Sequence, residues 1–356
     1  ITTRILTFSI FWRRNEMEQC SYIQPEAMEG ANLQPIREII EAGMRGEKKK
    51  IAALGASVSK GEAVKKGNAF LNKMEQKWES YFPGSTVPEF INASVSGTFS
   101  ANALFAMDEL LQKKPDLVFL DYSVNDPGQY YLQEAFEGLV HHFLENGTYV
   151  CVLLFCNQNG NCTRGAMTRI AHYYHIPLLD IGSVVMENIR ENRFLWQDYA
   201  SDYVHPRIEG HEFIADNIMH CFQYAMEKEE TNSYIIPENP CFDGSFWKLE
   251  KLENLSYDDD QVFTVDKYCS VVVAEYFQTA QENDCKVEIL VDGEVKECVE
   301  LHWEFAWDNR LVRMIFVEPK ADWHTIEIRP AGGKQNDQEL LKQFDIKLGI
   351  GCLLED

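Results

Sequence analysis

Between residues 49 and 192, short apolar runs alternate with stretches whose apolar residues recur every three or four positions. The runs fall at 49–54, 87–93, 116–122, 148–155 and 176–181, and the third, Leu117-Val118-Phe119-Leu120, is apolar without a break. An unbroken apolar run is what a strand buried on both faces needs, and parallel sheets bury both faces. Between and around the runs, segments 32–46, 63–81, 100–113, 129–146, 163–174, 183–192 and 208–227 carry helical spacing, as Phe70, Leu71, Met74 and Trp78 do. This alternation predicts an α/β domain with a parallel sheet between layers of helices.

Beyond the charged stretch 227–233 the pattern changes. Runs at 262–265, 270–277, 286–291, 296–303, 310–317 and 323–328 are short and strand-like, and turn signals such as Asp292-Gly293 bound some of them. They describe a β-sandwich or jelly roll. A chain of 356 residues is long for one core. We therefore expect an N-terminal extension over 1–31, an α/β domain over 32–230 and a β-sandwich over 231–356. The segment 1–12 is apolar but too short to span a bilayer, and Arg13-Arg14 follows it where a signal peptide would place its basic residues first. Residues 1–16 read as upstream sequence, with Met17 as the candidate start.

Composition narrows the partners. With 33 basic against 56 acidic residues the formal net charge is -23, which argues against nucleic acid and against an anionic membrane surface, since both recruit clustered Lys and Arg. Neutral ligands such as sugars fit better. The ten cysteines show no C-x-x-C pair, and several, such as Cys151, sit inside apolar runs where a reduced thiol serves as a small hydrophobe. Cys156 and Cys162 lack further ligands nearby, so no metal and no cofactor is expected. Free thiols fit a reducing cytoplasm. Oligomeric state is left open, a homo-oligomer included.

Four loops carry the candidate chemistry, each at or beyond the C-terminal end of a strand, where open α/β sheets place their ligands. The first is Gly55-Ala56-Ser57-Val58-Ser59. Its serine lies at a strand end beside the start of a helix, a favourable place for a nucleophile, but Ser59 stands where a nucleophile elbow has its second glycine. The others are Gly97 in the small-residue loop 92–98, Ser123-Val124-Asn125-Asp126, and Asp202-Tyr203-Val204-His205. Among the strand-end loops only His205, with Asp202 three residues earlier, offers Ser57 a base with an orienter. Asp198 lies on the same loop and remains an alternative orienter. The histidines His141, His142, His172, His175, His211 and His220 fall in or beside predicted helices, and His302 and His324 in predicted strands, so these are read as structural.

In order and spacing these four blocks resemble the SGNH, or GDSL-like, hydrolases over roughly residues 49–226. The resemblance implies a flavodoxin-like α/β sheet and a serine esterase. Ser57 would be its nucleophile, His205 the base and Asp202 the orienter, with the backbone N–H of Ser57 and Gly97 and the amide of Asn125 holding the oxyanion. Ala56 replaces the usual aspartate of the first block and Ser123 the usual opening glycine of the third. The joined sandwich resembles the arrangement of acetyl-mannan esterases, in which a carbohydrate-binding-like module helps cover the site. Trp247, Trp303, Phe305, Trp307 and Trp323 lie in this second part. Aromatics beside Asp and Asn suit sugar stacking, so Trp307 or Trp323 is expected to reach over Ser57, with Asp126 as a further substrate contact. The expected reaction is removal of O-acetyl groups from acetylated oligosaccharides, manno-oligosaccharides among them. A lipid or thioester hydrolase, or a non-catalytic sugar-binding protein, is the alternative.

Overall fold

The computed structural model describes residues 20–23, 30–126, 130–228, 235–282, 284–304, 310–331 and 344–352. The expectations for residues 1–16 and for Met17 lie outside them, as do Phe305, Trp307 and most of the expected linker. Internal contacts divide the chain into two units: Ile1–Ser96, Leu110–Gly128 and Phe143–Ile236 form the first, and Gly97–Glu109, Gln129–His142 and Pro237–Asp356 the second.

In chain order the elements up to the second sheet are α1 (Gln34–Met44), β1 (Lys50–Gly55), α2 (Ser57–Lys60), α3 (Phe70–Tyr81), β2 (Glu89–Asn92), α4 (Ser100–Gln112), β3 (Leu117–Asp121), α5 (Tyr130–Glu145), β4 (Tyr149–Leu154), α6 (Arg164–Tyr173), β5 (Leu178–Asp180), α7 (Ile181–Arg190), α8 (Trp196–Tyr199) and α9 (Ile208–Glu227). The five strands make one parallel sheet in the order β2-β1-β3-β4-β5. Every residue of β3 and β4 is buried, as their apolar runs require, whereas the edge strand β2 is exposed at Glu89 and Asn92. Phe119 of β3 meets Phe70 of α3 at 6.2 Å and Phe222 of α9 at 6.3 Å, and Trp78 of α3 lies edge-on to Phe222 at 6.2 Å. Burying such side chains stabilises the fold by about 1.5–3 kcal/mol each, as an upper figure. Trp78→Ala would cost about 3–5 kcal/mol through the cavity it leaves.

One helix differs from expectation in a way that matters for the site. The helix foreseen over 63–81 starts only at Phe70, as α3, and a separate single turn, α2, precedes it and begins on Ser57 itself. Gly61 ends α2 in the left-handed conformation at φ 80°, and its N–H donates to the carbonyls of Ser57 and Val58 at 3.1 Å. A Cβ there would lie 2.8 Å from that of Ala69. Gly61 therefore closes α2 after a single turn.

The second unit holds one antiparallel sheet of six described strands, ordered β6-β11-β7-β10-β8-β9. These are β6 (Glu250–Leu252), β7 (Phe263–Phe277), β8 (Lys286–Val291), β9 (Glu294–Glu300), β10 (Arg310–Pro330) and β11 (Lys347–Gly351). Two expected pairs of short strands are fused, as β7 and β10. These run antiparallel along their length, with register shifts between Met314 and Phe316 and between Val317 and Asp322. Val272, Ile289, Ile326 and Leu348 from the strands, with Phe344 just before β11, gather into one buried cluster, giving a sandwich-like body. In the same unit the buried Glu137 carboxylate of α5 accepts from the N–H groups of Cys241 and Phe242, and His141 stacks on Trp247 at 3.7 Å. Trp247 is thus a core residue.

Candidate active site

The turn that bears Ser57 follows β1 and is tied to β3. Gly55 pairs in register with Asp121, and the Ala56 N–H donates to the Asp121 carbonyl at 3.1 Å. The Ser59 hydroxyl donates to Asp121 Oδ2 at 2.7 Å, and Asn92 Nδ2 donates to the Ser59 carbonyl at 2.8 Å. A Cβ on Gly55 would lie 2.8 Å from the Asp121 carbonyl oxygen and 2.9 Å from the Asp121 Cβ. Glycine is therefore needed there to let the strand approach. Ser59, which fills the position of an elbow glycine, is fully buried and ties the serine turn down onto β3. Burial pushes the Asp121 carboxyl up to about 7, against the downward pull of the Ser59 hydrogen bonds. The contact between Ser59 and Asp121 escaped the sequence reading. The available signal was a carboxylate closing an otherwise apolar buried strand.

His205 lies on a tight hairpin over 199–207. An isolated bridge joins Ala200 to Pro206, the Ser201 N–H donates to the His205 carbonyl at 2.9 Å, and the Arg207 N–H donates to the Tyr199 carbonyl at 2.8 Å. At the tip, Asp202 Oδ1 accepts from the N–H groups of Val204 and His205, each at 2.8 Å, while Oδ2 lies 2.8 Å from His205 Nδ1. His205 Nε2 lies 3.0 Å from Ser57 Oγ. Burial would raise the Asp202 carboxyl, but the two amide N–H donors and the His205 ring outweigh it and hold the group below the usual carboxylate range. An ionised Asp202 places the imidazole proton on Nδ1, so Nε2 accepts from the serine hydroxyl. Trp196 Nε1 donates to the Asp202 carbonyl at 2.6 Å. The alternative orienter, Asp198, instead takes the Leu195 N–H at 3.0 Å at the start of α8.

The remaining expected residues are placed as follows. Asn125 sits half-buried on the turn after β3, its N–H donating to the Tyr122 carbonyl at 3.1 Å. That turn is anchored to β4: the Ser123 hydroxyl donates to the Phe155 carbonyl at 3.0 Å and accepts from the Phe155 N–H at 2.8 Å. Asp126 is 3% exposed, and its carbonyl accepts from the Thr163 hydroxyl. Gly97 follows β2 at φ 73° and belongs to the second unit, as does Trp323, which is 68% exposed on β10 and edge-on to Tyr268 at 6.0 Å. Trp307 lies outside the described residues. A depression lined by Pro35, Ile39, Lys49, Asp116 and Tyr149 sits at the N-terminal edge of the parallel sheet and holds none of the site residues. Among the described residues no helix is long and apolar enough to cross a membrane, and no three His, Cys, Asp or Glu side chains group as a metal-ligand set. Of the expected structural histidines, His211 is fully buried.

What Ser57, His205 and Asp202 make is a continuous hydrogen-bonded relay from a carboxylate through an imidazole to a serine hydroxyl. Such a relay raises the nucleophilicity of the hydroxyl by giving its proton somewhere to go.

No protein-family profile and no curated protein matches the chain. Among solved structures, a two-domain esterase (CEX) active on acetylated mannans is similar, with a TM-score of 0.76 at 20% identity over 94% of this chain and 100% of that one. The same esterase co-crystallised with mannopentaose gives a TM-score of 0.76 at 19% identity, with the same coverage. A psychrotrophic esterase, EstA, from Pseudoalteromonas sp. gives a TM-score of 0.43 at 19% identity, over 51% of this chain and 100% of that one. The sequence pattern and the full-length structural match agree on one fold: a parallel α/β sheet flanked by helices and a second, sandwich-like antiparallel body, the fold of the two-domain esterase that this chain resembles over 94% of its length.

Proposed function

We propose that the chain is a serine carboxylic-ester hydrolase that removes O-acetyl groups from oligosaccharides, with residues 32–230 as the catalytic part and 231–356 as a carbohydrate-binding-like part. The observation that carries this reading is the relay of 2.8 Å and 3.0 Å from Asp202 through His205 to Ser57. Ser57 Oγ attacks the acetyl carbonyl carbon while His205 Nε2 takes its proton. The tetrahedral intermediate collapses, the carbon–oxygen bond to the sugar breaks, and His205 returns the proton to the departing sugar oxygen. Water, activated by the same imidazole, then releases acetate from Ser57. Asp202 holds the tautomer and stabilises the imidazolium. The oxyanion is assigned to the backbone N–H groups of Ser57 and Gly97 and to the Asn125 amide, and losing one such donor typically costs about 10²–10³ in kcat.

Acetylated manno-oligosaccharides are the substrate to try first, because the matched esterase acts on acetylated mannans and the net charge of -23 favours a neutral ligand. The ten cysteines are thiols, which suits a reducing cytoplasm and hence imported short oligosaccharides over intact polysaccharide. The test is a 4-nitrophenyl ester series on wild type and Ser57→Ala, followed by acetylated mannan and xylan oligosaccharides. Preference for acetyl, lost in Ser57→Ala, is expected. Turnover that climbs with acyl length would replace this reading with a lipid or thioester hydrolase, and sugar binding without any hydrolysis would replace it with a binding protein.

A further inference from the structure

The direction of proton transfer says where the sugar must lie. His205 gives its proton to the oxygen that leaves, so the leaving sugar sits against the hairpin that bears His205. At the tip of that hairpin, between Asp202 and His205, stands Tyr203, 47% exposed. An exposed tyrosine ordinarily keeps its rotamer freedom; this one is held at both ends. Its carbonyl accepts from the Gln158 N–H at 2.9 Å, and its phenolic oxygen accepts from Asn159 Nδ2 at 2.9 Å.

The turn that grips it, 157–161, is itself fixed. Asn157 Oδ1 accepts from the N–H groups of Asn159 at 3.0 Å and Asn161 at 3.1 Å, and the Asn157 N–H donates to the Asn161 carbonyl at 3.1 Å. At the base of the turn the Thr163 N–H donates to the Ser123 carbonyl at 2.7 Å, which joins it to the loop carrying Asn125. The amide side chains of Gln158, Asn159 and Asn161 are exposed. An aromatic face with neutral amides beside it offers both halves of sugar recognition: stacking for the C–H face of the ring and hydrogen bonds for its hydroxyls. Because the ring is already immobilised, binding loses little further side-chain entropy.

We propose that Tyr203, with Gln158, Asn159 and Asn161, forms the subsite for the neutral sugar ring that carries the acetyl group and departs as the alcohol. This rests on the reading of the protein as an oligosaccharide acetylesterase. Asn159 uses the phenolic oxygen as an acceptor, which leaves the phenol proton to donate to a sugar hydroxyl. Phosphorylated or otherwise anionic sugars are disfavoured, since the subsite contributes amides and no cation.

The measurement is kcat/KM for an acetylated manno-oligosaccharide divided by kcat/KM for 4-nitrophenyl acetate, which carries no sugar. Tyr203→Ala is expected to lower that ratio about tenfold through KM for the oligosaccharide, and Tyr203→Phe, which keeps the flat ring but loses the phenol's hydrogen bonds, to lower it by a smaller factor of about two to five. Tyr203→Leu keeps bulk without the flat face and is expected to behave as Tyr203→Ala, so the comparison survives if one variant folds poorly. Equal losses on both substrates would mean that Tyr203 only braces the hairpin, and an unchanged ratio would mean that the sugar lies elsewhere; either overturns the subsite alone. A wild type that turns over 4-nitrophenyl acetate but no acetylated mannan or xylan oligosaccharide overturns the carbohydrate reading and the subsite with it.

Discussion

The two loops that bring Ser57 and His205 together are held in opposite ways. The Ser57 turn is buried and gripped by other elements, through the Gly55–Asp121 pairing, the Ser59–Asp121 hydrogen bond and the Asn92 amide on the Ser59 carbonyl. The histidine hairpin is exposed at its tip and held by a few hydrogen bonds: the Asp202 carboxylate closes the turn onto its own backbone and onto the ring, while Gln158, Asn159 and Trp196 hold Tyr203 and the Asp202 carbonyl from outside. A buried turn derives its precision from packing, and disturbing it should cost stability along with activity. A surface turn held this way derives its precision from a few hydrogen bonds. Disturbing it should cost activity with little change in stability.

Asp202→Asn gives the largest expected effect and the sharpest test of the hairpin side. The amide keeps an acceptor for the turn but offers the wrong partner for the imidazole tautomer, so kcat should fall by about 10³–10⁴. Thermal unfolding should be nearly unchanged, and a collapse in melting temperature would break the contrast. On the nucleophile side, Asp121→Asn should show itself in stability against pH. The native carboxyl ionises near 7 instead of the ordinary 3.8, so between those values the unfolded chain releases a proton that the native chain keeps. Stability is therefore lost as pH rises from about 4 to about 7, by on the order of 2–4 kcal/mol. The asparagine variant lacks that loss, and its unfolding free energy relative to wild type should improve between pH 5 and pH 8; a pH-independent difference would sink the assignment. Gly55→Ala is the smallest of the three. Its Cβ would press on the Asp121 backbone, costing about 1–3 kcal/mol of stability and lowering kcat with it. If it lowered kcat with an unchanged melting curve, the coupling of packing and chemistry claimed for this turn would be wrong.

Particular residues show why the sequence was legible in some places and not in others. The parallel strands announced themselves because Leu117 to Leu120 and Val150 to Leu154 are buried on both faces, and such burial demands unbroken apolar runs. Asp202 and His205 were legible because the hairpin is local: three positions along the chain suffice to set their contact. The grip on the nucleophile was not, since Ser59 and Asp121 are 62 positions apart and meet only through strand pairing. In the second unit, Glu318-Pro319-Lys320 resembles a turn, yet β10 continues through it with a register shift. Strand β6 escaped notice because Glu250-Lys251-Leu252 carries too little apolar character to register.

Central to the proposed function is a covalent intermediate on Ser57 formed with help from His205. The most direct measurement is the intact mass of the protein after reaction with an activated organophosphonate such as an ethyl 4-nitrophenyl phosphonate, followed by peptide mapping. One adduct per chain on the peptide containing Ser57 is predicted, with esterase activity lost in step, no adduct in Ser57→Ala and much slower labelling in His205→Ala. An adduct on another residue, or full 4-nitrophenyl acetate turnover in Ser57→Ala, would contradict it.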